Sequence, residues 1–435
     1  MRRFNWFLLI LVLLVLFSLT AFGASAKNTS HEAFITQYEG PKTCENCHAG
    51  AVDDVLQSVH YKMKGPVSTV AGLSGEWGMI NRESGLPGSI MKINIGCVQC
   101  HIGNGTKITD TPTAQEREGI DCLICHAKKY DYSKRSLAPA PGTPEGFRVP
   151  QDRSLEAARS VGGRPNNEAC FRCHKAPAGG YWWKRGINFT PERDVHVANG
   201  MICVDCHKAM KHKFANINDP GGWAKETSPD TLKCESCHGA VKHKNPAINN
   251  HLARISCNVC HIPTIGGVVT RDYVNVAQNP KTGLYVPKAD VFDDTYNTKP
   301  TYRFFNGTTT QEIEPIGSIN DPKSRITAFK PLTTVVPEDK KTKKILYMNL
   351  GVLAQTGNVD KALAKGIEQT KQSYSGEWEP KTITGYFSLS HDIAKDKALS
   401  CSDCHSGKDY IGFGALGYSK DNVAKLTNDK DSRFK

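Results

Sequence analysis

A mainly α fold of short helices and loops, wound round something other than its own side chains, is what the sequence predicts, and three observations lead there. A five-residue word, Cys-x-x-Cys-His, recurs as CENCH (44–48), CVQCH (97–101), CLICH (122–126), CFRCH (170–174), CVDCH (203–207), CESCH (234–238), CNVCH (257–261) and CSDCH (401–405). Only 28, 26 and 18 residues separate the fourth to seventh copies, too few to build a core between them. Hydrophobic residues make up 39% of 435, low for a globular chain of this length.

The word is the attachment signature of a c-type haem. Its two thiols add to the two vinyl groups of one porphyrin, and the adjoining histidine falls under the iron as an axial ligand. The thiol pairs are Cys44 and Cys47, Cys97 and Cys100, Cys122 and Cys125, Cys170 and Cys173, Cys203 and Cys206, Cys234 and Cys237, Cys257 and Cys260, and Cys401 and Cys404. The iron ligands are His48, His101, His126, His174, His207, His238, His261 and His405. All 16 cysteines are used (8 × 2 = 16), leaving no free thiol. Structural zinc would pair two Cys-x-x-Cys units and give no reason for an adjoining histidine; a disulfide framework would leave the histidines unexplained. The chain is expected to carry eight covalent haem c groups, whose porphyrins supply the missing apolar mass.

Residues 1–26 read as a cleaved secretory signal. Arg2 and Arg3 form the basic region, Phe7 to Phe22 the apolar run, and Ala24-Ser25-Ala26 the small-residue cleavage site. The competing reading is an uncleaved anchor, for which the run is short. Export places the protein in the periplasm or outside the cell, where haem is attached. The formal charge is +12, falling to +10 without Arg2 and Arg3 (12 − 2). Each ferric haem with two propionates brings about −1, so the holoprotein is near neutral and its basic residues are no argument for nucleic acid.

Residues 27–261 form a seven-haem region. After the first motif, Ala51 to Met63 reads as helix, with Val52, Val55, Leu56 and Val59 at helical spacing. Gly65 to Ser89 and the proline-rich Ser136 to Thr143 read as loops, and Ser154 to Ser160 as a short helix. Residues 262–400 form a haem-free gap of 139 residues. It has strand signals at 268–276, 301–305 and 343–352 and a helical pattern from Asn358 to Gln372. This segment is expected to be a mantle over the haem stack. Residues 401–435 hold the eighth motif and a basic, solvated tail.

Subtracting the motif histidines leaves seven (15 − 8): His31, His60, His196, His212, His243, His251 and His391. A low-spin electron-transfer haem takes a second axial ligand, usually histidine or methionine. Seven spare histidines allow seven bis-histidine haems and one that differs. The alternative leaves some of them on the surface, with Met63, Met79 or Met210 filling in.

With these residues in place, the chain resembles the octahaem tetrathionate reductases, a family of periplasmic cytochromes c. The resemblance runs over nearly the whole mature chain and includes HEAFITQYEGP (31–41), CVQCHIGNG (97–105), IDCLICH (120–126) and DVHVANGMICVDCH (194–207). It continues in YRFFNG (302–307), INDPKSRITAFKPL (319–332) and HDIAKDKALSCSDCHSG (391–407). The resemblance implies a mainly α fold with seven bis-histidine haems and one catalytic haem, the second, ligated by His101 and a lysine. That lysine corresponds to Lys184 in AGGYWWKRGINF (178–189), where the family usually has K-H-G and this chain has Lys184-Arg185-Gly186. Some members carry an extra cysteine near the active site, and this chain has none to spare. That weighs against sulfur chemistry relative to nitrogen oxyanions or hydroxylamine.

Two functions follow. The first is a reductase that feeds electrons through bis-histidine haems to a catalytic iron, where tetrathionate, nitrite or hydroxylamine is reduced. The second is a relay, a periplasmic shuttle or extracellular wire without its own substrate. Expected partners are quinol-linked or other redox cytochromes, a small inorganic substrate for the first reading, and a second copy of the chain.

Overall fold

The computed structural model describes residues 31–72, 74–78, 89–90, 102–104, 108–135, 138–139, 147–148, 151–174, 189–215, 232–239, 243–266, 269–280, 283–290, 296–310, 312–394 and 396–428. The signal segment, the second attachment motif and Lys184 lie outside these residues, as do parts of the two expected loops.

In the haem-bearing region the described helices are short, because most described motifs form about one helical turn closed by the histidine N–H on the first cysteine carbonyl, as at His48, His126, His207, His238 and His405. Leu123–His126, Glu235–His238 and Cys257–His261 end on the motif histidine, and the eight-residue helix Asn167–His174 does the same. The helix expected from Ala51 to Met63 is two, Ala51–Leu56 and Val59–Lys62. Ser58 divides them: its hydroxyl donates to Val55 O and accepts from Tyr61 N, serving as the N-cap of the second. The helix expected at Ser154 to Ser160 runs Leu155–Arg159 between those two caps.

Glu116 shows how the loops are fixed. Its buried carboxylate accepts from Tyr61 Oη at 2.9 Å, Thr109 N at 2.8 Å, Thr109 Oγ1 at 2.6 Å and Thr113 N at 2.8 Å. Burial raises its proton affinity, but these donors outweigh it and bring the carboxyl down to about 2. With the folded value below the unfolded one, its stabilisation is full above the ordinary glutamate range and is lost as pH falls toward about 2.

The strand signals of the haem-free segment become a five-stranded mixed sheet, so helix does not clearly dominate the fold. Its strands are β1 (Val269–Gln278), β2 (Tyr285–Asp290), β3 (Thr301–Phe305), β4 (Arg325–Asp339) and β5 (Trp378–Ser388). β4 is the spine. Along one edge it pairs antiparallel with β3 (Phe305↔Arg325 to Thr301↔Phe329) and then parallel with β1 (Leu332↔Val269 to Val335↔Asp272). Along the other it pairs antiparallel with β5 from Phe329↔Ser388 to Asp339↔Trp378, and β2 pairs with β1. Pro331 falls where β3 has ended and β1 has not begun, so a missing N–H costs no ladder bond on that edge. A stretch without haem must satisfy its backbone internally, and a sheet does so.

The expected strands at 268–276 and 301–305 form. That at 343–352 shrinks to Met348–Asn349, because Asn349 accepts from Val352 N and starts the helix Leu350–Thr356. The helix expected from Asn358 to Gln372 is Val359–Thr370, capped by Asn358. The tail is more ordered than expected: Lys420–Leu426 is a helix, and Val423 and Leu426 pack into a core cluster.

Three apolar clusters divide the described residues. One surrounds the first and third motifs (Val52, Leu56, Tyr61, Ile120, Leu123, Ile124). One joins β4 to the seventh and eighth motifs (Val259, Ile262, Ala328, Leu389, Phe413). The third holds the sheet against its helices and reaches back to Val67 and Val70 near the first haem region. In it, Gly366 lies under Tyr347, whose carbonyl oxygen stands 1.9 Å from the place a Cβ would take. Alanine is the better helix former, yet Gly366→Ala should destabilise the protein by about 1–3 kcal/mol through overpacking against fixed backbone. Thermal melting of the variant checks this; an unchanged or raised melting temperature would contradict it.

Candidate haem sites

Each of the seven histidines outside the motifs stands opposite one motif histidine. The pairs are His31 with His48 (ring centroids 6.3 Å apart), His60 with His174 (6.1 Å), His212 with His126 (6.2 Å) and His196 with His238 (6.0 Å). They continue with His391 and His207 (6.3 Å), His243 and His261 (6.4 Å), and His251 and His405 (6.0 Å). An iron midway needs a bond of about 2 Å to each nitrogen and roughly 1 Å more to each ring centre, a span of about 6 Å. The residues present therefore fit a six-coordinate haem iron at seven places.

Ring orientation agrees. His31 Nδ1 lies 3.1 Å from Val161 O and His207 Nδ1 lies 3.0 Å from Ala215 O. A carbonyl only accepts, so each Nδ1 carries the proton and Nε2 is left with the lone pair. His243 Nδ1 is held likewise by Asn249 Oδ1 at 3.2 Å. Burial, with the facing imidazole second, holds His126 and His251 below the ordinary histidine range. Burial also lowers His212 and His261. A neutral ring is the one that can bind a metal.

Loops deliver the partner rings. His212 sits with Lys211 at the tip of a two-residue hairpin, between Ala209–Met210 and Lys213–Phe214, both with positive φ (59° and 50°). Such turns favour asparagine and glycine, so a lysine–histidine pair carries strain at the place where the ring is presented. Asp194 serves two partners at once. Its Oδ1 accepts from His196 N at 2.8 Å and Val197 N at 3.3 Å and lies 3.4 Å from His196 Nδ1. Its Oδ2 accepts from Ile393 N at 3.1 Å, two residues beyond His391.

The attachment sulfurs form a series. Cys44 is a close neighbour of Cys122, as Cys170 is of Cys203 and Cys234 of Cys257. Cys125 lies within electrostatic reach of Cys170, Cys206 of Cys237, and Cys260 of Cys401 and Cys404. Read through these neighbours, the motifs run first, third, fourth, fifth, sixth, seventh, eighth.

Cys97, Cys100, His101 and Lys184 lie outside the described residues. The chain leaving the second motif is anchored beside the third, where Ile102 O accepts from Asp121 N at 2.8 Å and Ile102 packs with Leu123 and Ile124. Of the alternative methionine ligands, Met210 is exposed, Met63 is buried at a helix end and Met79 lies outside the described residues. The motifs marked the attachment positions, but the pairing of rings had no signal in the sequence. Nor did Asp194, apart from its place as a helix N-cap.

Comparison with known proteins places the fold among cytochromes c. Residues 271–408 match the model of the family described as "Cytochrome c bacterial", and residues 189–269 that described as "Cytochrome c7 and related cytochrome c". An uncharacterized protein of Archaeoglobus fulgidus is 28% identical over 253 residues, covering 45% of this chain and 81% of the relative. The crystal structure of an octaheme cytochrome c from Shewanella oneidensis superposes with a TM-score of 0.67 at 23% identity, over 91% of this chain and 96% of that one.

Asp194→Ala should lower stability by about 1–3 kcal/mol, from a lost helix cap and a lost buried acceptor. It should also disturb the low-spin signals of two haems, since His196 and His391 both depend on it. A variant with unaltered electron paramagnetic resonance would contradict the shared anchoring. By fold and by attachment motif, the chain is a multihaem c-type cytochrome.

Proposed function

We propose that the protein is an exported octahaem cytochrome that relays electrons along seven bis-histidine irons to the second haem, where a small oxidised nitrogen or sulfur species is reduced. One observation carries this reading. All seven spare histidines face motif histidines other than His101. The sequence contains no sixteenth histidine, so the second site must complete its iron differently.

Bound haem supplies a one-electron iron couple at each site and, where the sixth position is open or weakly held, a Lewis-acid position for a small anion. The motif histidines would each hold an iron from one side. His31, His212, His60, His391, His196, His243 and His251 would hold it from the other in the first, third, fourth, fifth, sixth, seventh and eighth sites. The series of neighbouring sulfurs supports a relay in that spatial order, and the anchoring of Ile102 beside the third motif supports a second site joined to it there. Lys184 is the residue assigned to the second iron, which it would hold through its neutral amine; protonated, the same side chain would favour an oxyanion beside it. Tetrathionate, nitrite and hydroxylamine belong to the substrate class, and the absence of a spare cysteine favours the nitrogen species. The small-residue site Ala24-Ser25-Ala26 supports export to the periplasm or beyond. Other redox cytochromes are the electron donors this reading requires.

The test is Lys184→Ala in the holoprotein. Cyanide should perturb one haem, more readily in the variant than in the wild type. Viologen-driven reduction of nitrite, hydroxylamine or tetrathionate should change about tenfold or more, while reductive titration still fills all the haems. No cyanide-sensitive haem in either protein, together with no turnover of any of the three substrates, would make the chain a relay alone.

A further inference from the structure

A buried charged cluster lies between the third and fourth motifs. Arg135 has a fully buried side chain and donates to Asp121 Oδ2 at 2.6 Å, and the Asp121 side chain is 2% exposed. Tyr130 Oη donates to the same oxygen. Asp121 Oδ1 accepts from Ile124 N at 3.1 Å, inside the third motif. From the fourth motif, Arg172 hydrogen-bonds Ile124 O and lays its guanidinium 5.1 Å from the centre of the Tyr130 ring.

The cluster touches both haem sites. Cys125 of the third motif feels the positive charges of Arg172 and Arg135 and the negative charge of Asp121. Arg135 is also within electrostatic reach of Cys173 in the fourth motif. A buried ion pair is weak evidence for stability, since desolvation offsets its attraction. Even paired, charges in a low-dielectric interior act on a neighbouring charge change more strongly than they would in water, and reduction is such a change. When an electron passes from one haem of this pair to the other, one iron goes from ferrous to ferric and the other from ferric to ferrous. The charge moves past Arg135 and Asp121, and the sum is unchanged.

We propose that this cluster sets the reduction potentials of the third and fourth haems, with Arg135 favouring their reduced forms and Asp121 acting as its positioning partner and counterweight. This rests on haems occupying those two motifs, as in the relay above.

The experiment is spectropotentiometric titration of the holoprotein and of two variants, each first shown by intact mass to carry its full haem complement. Asp121→Asn keeps an acceptor for Ile124 N and removes a negative charge. It should move two of the couples to higher potential. Arg135→Gln removes the cation and leaves the carboxylate, and should move the same two to lower potential. Opposite shifts confined to two couples are not what a loosened fold would give. Shifts of the same sign, shifts in every couple, or none would overturn the proposal. Should Arg135→Gln fail to mature, Asp121→Asn decides alone by the presence or absence of its two-couple rise. Missing haem mass in the wild type would count against the relay reading instead.

Discussion

The structure depends on pairs of imidazoles set one iron apart. Each pair ties segments that are distant in the chain: His60 follows the first motif and faces the fourth, and His391 precedes the eighth motif and faces the fifth. A metal bridge of this kind makes binding energy into folding energy, because the unfolded chain has no preformed site. It also explains why the helices here are short. A motif needs one turn to align two thiols and a histidine, and any longer element would have to end where the porphyrin begins. Apolar packing is correspondingly divided into three clusters, each resting on a motif or on the sheet.

Between the iron sites, buried carboxylates do the positioning. Glu116 gathers Tyr61, Thr109 and Thr113, so the helices after the first motif meet the loop before the third. Asp194 fixes two partner histidines through backbone N–H groups. At the sheet, Ser256 N bonds Ile326 O and Asn258 Nδ2 bonds Ala328 O and Leu389 O, which seats the seventh motif on β4. The haem-free segment therefore does for the last two sites what loops do for the others: it holds backbone around a prosthetic group.

Attachment chemistry was legible in the sequence because it is local. Eight copies of one word with every cysteine consumed admit one reading, while the remainder of seven histidines left ligation open between histidine and methionine. Pairing was not legible, since His212 is presented by a Lys211-His212 turn with no turn signature and His60 by a helix that Ser58 starts anew. β4 carries Pro331 and Pro337, residues that are unfavourable in a strand interior, and the first falls in a gap between neighbours along its edge. The strand signals at β1 and β3 were legible, but the long strand that joins them was not.

The account's central claim is a division of ligation, seven irons between two histidines and one not. Near-infrared magnetic circular dichroism of the oxidised wild-type protein counts these classes directly, because bis-imidazole and imidazole–amine haems have distinct charge-transfer bands. The account predicts intensities in the ratio of seven to one. Eight equivalent bis-histidine haems, or two or more of another class, would contradict it.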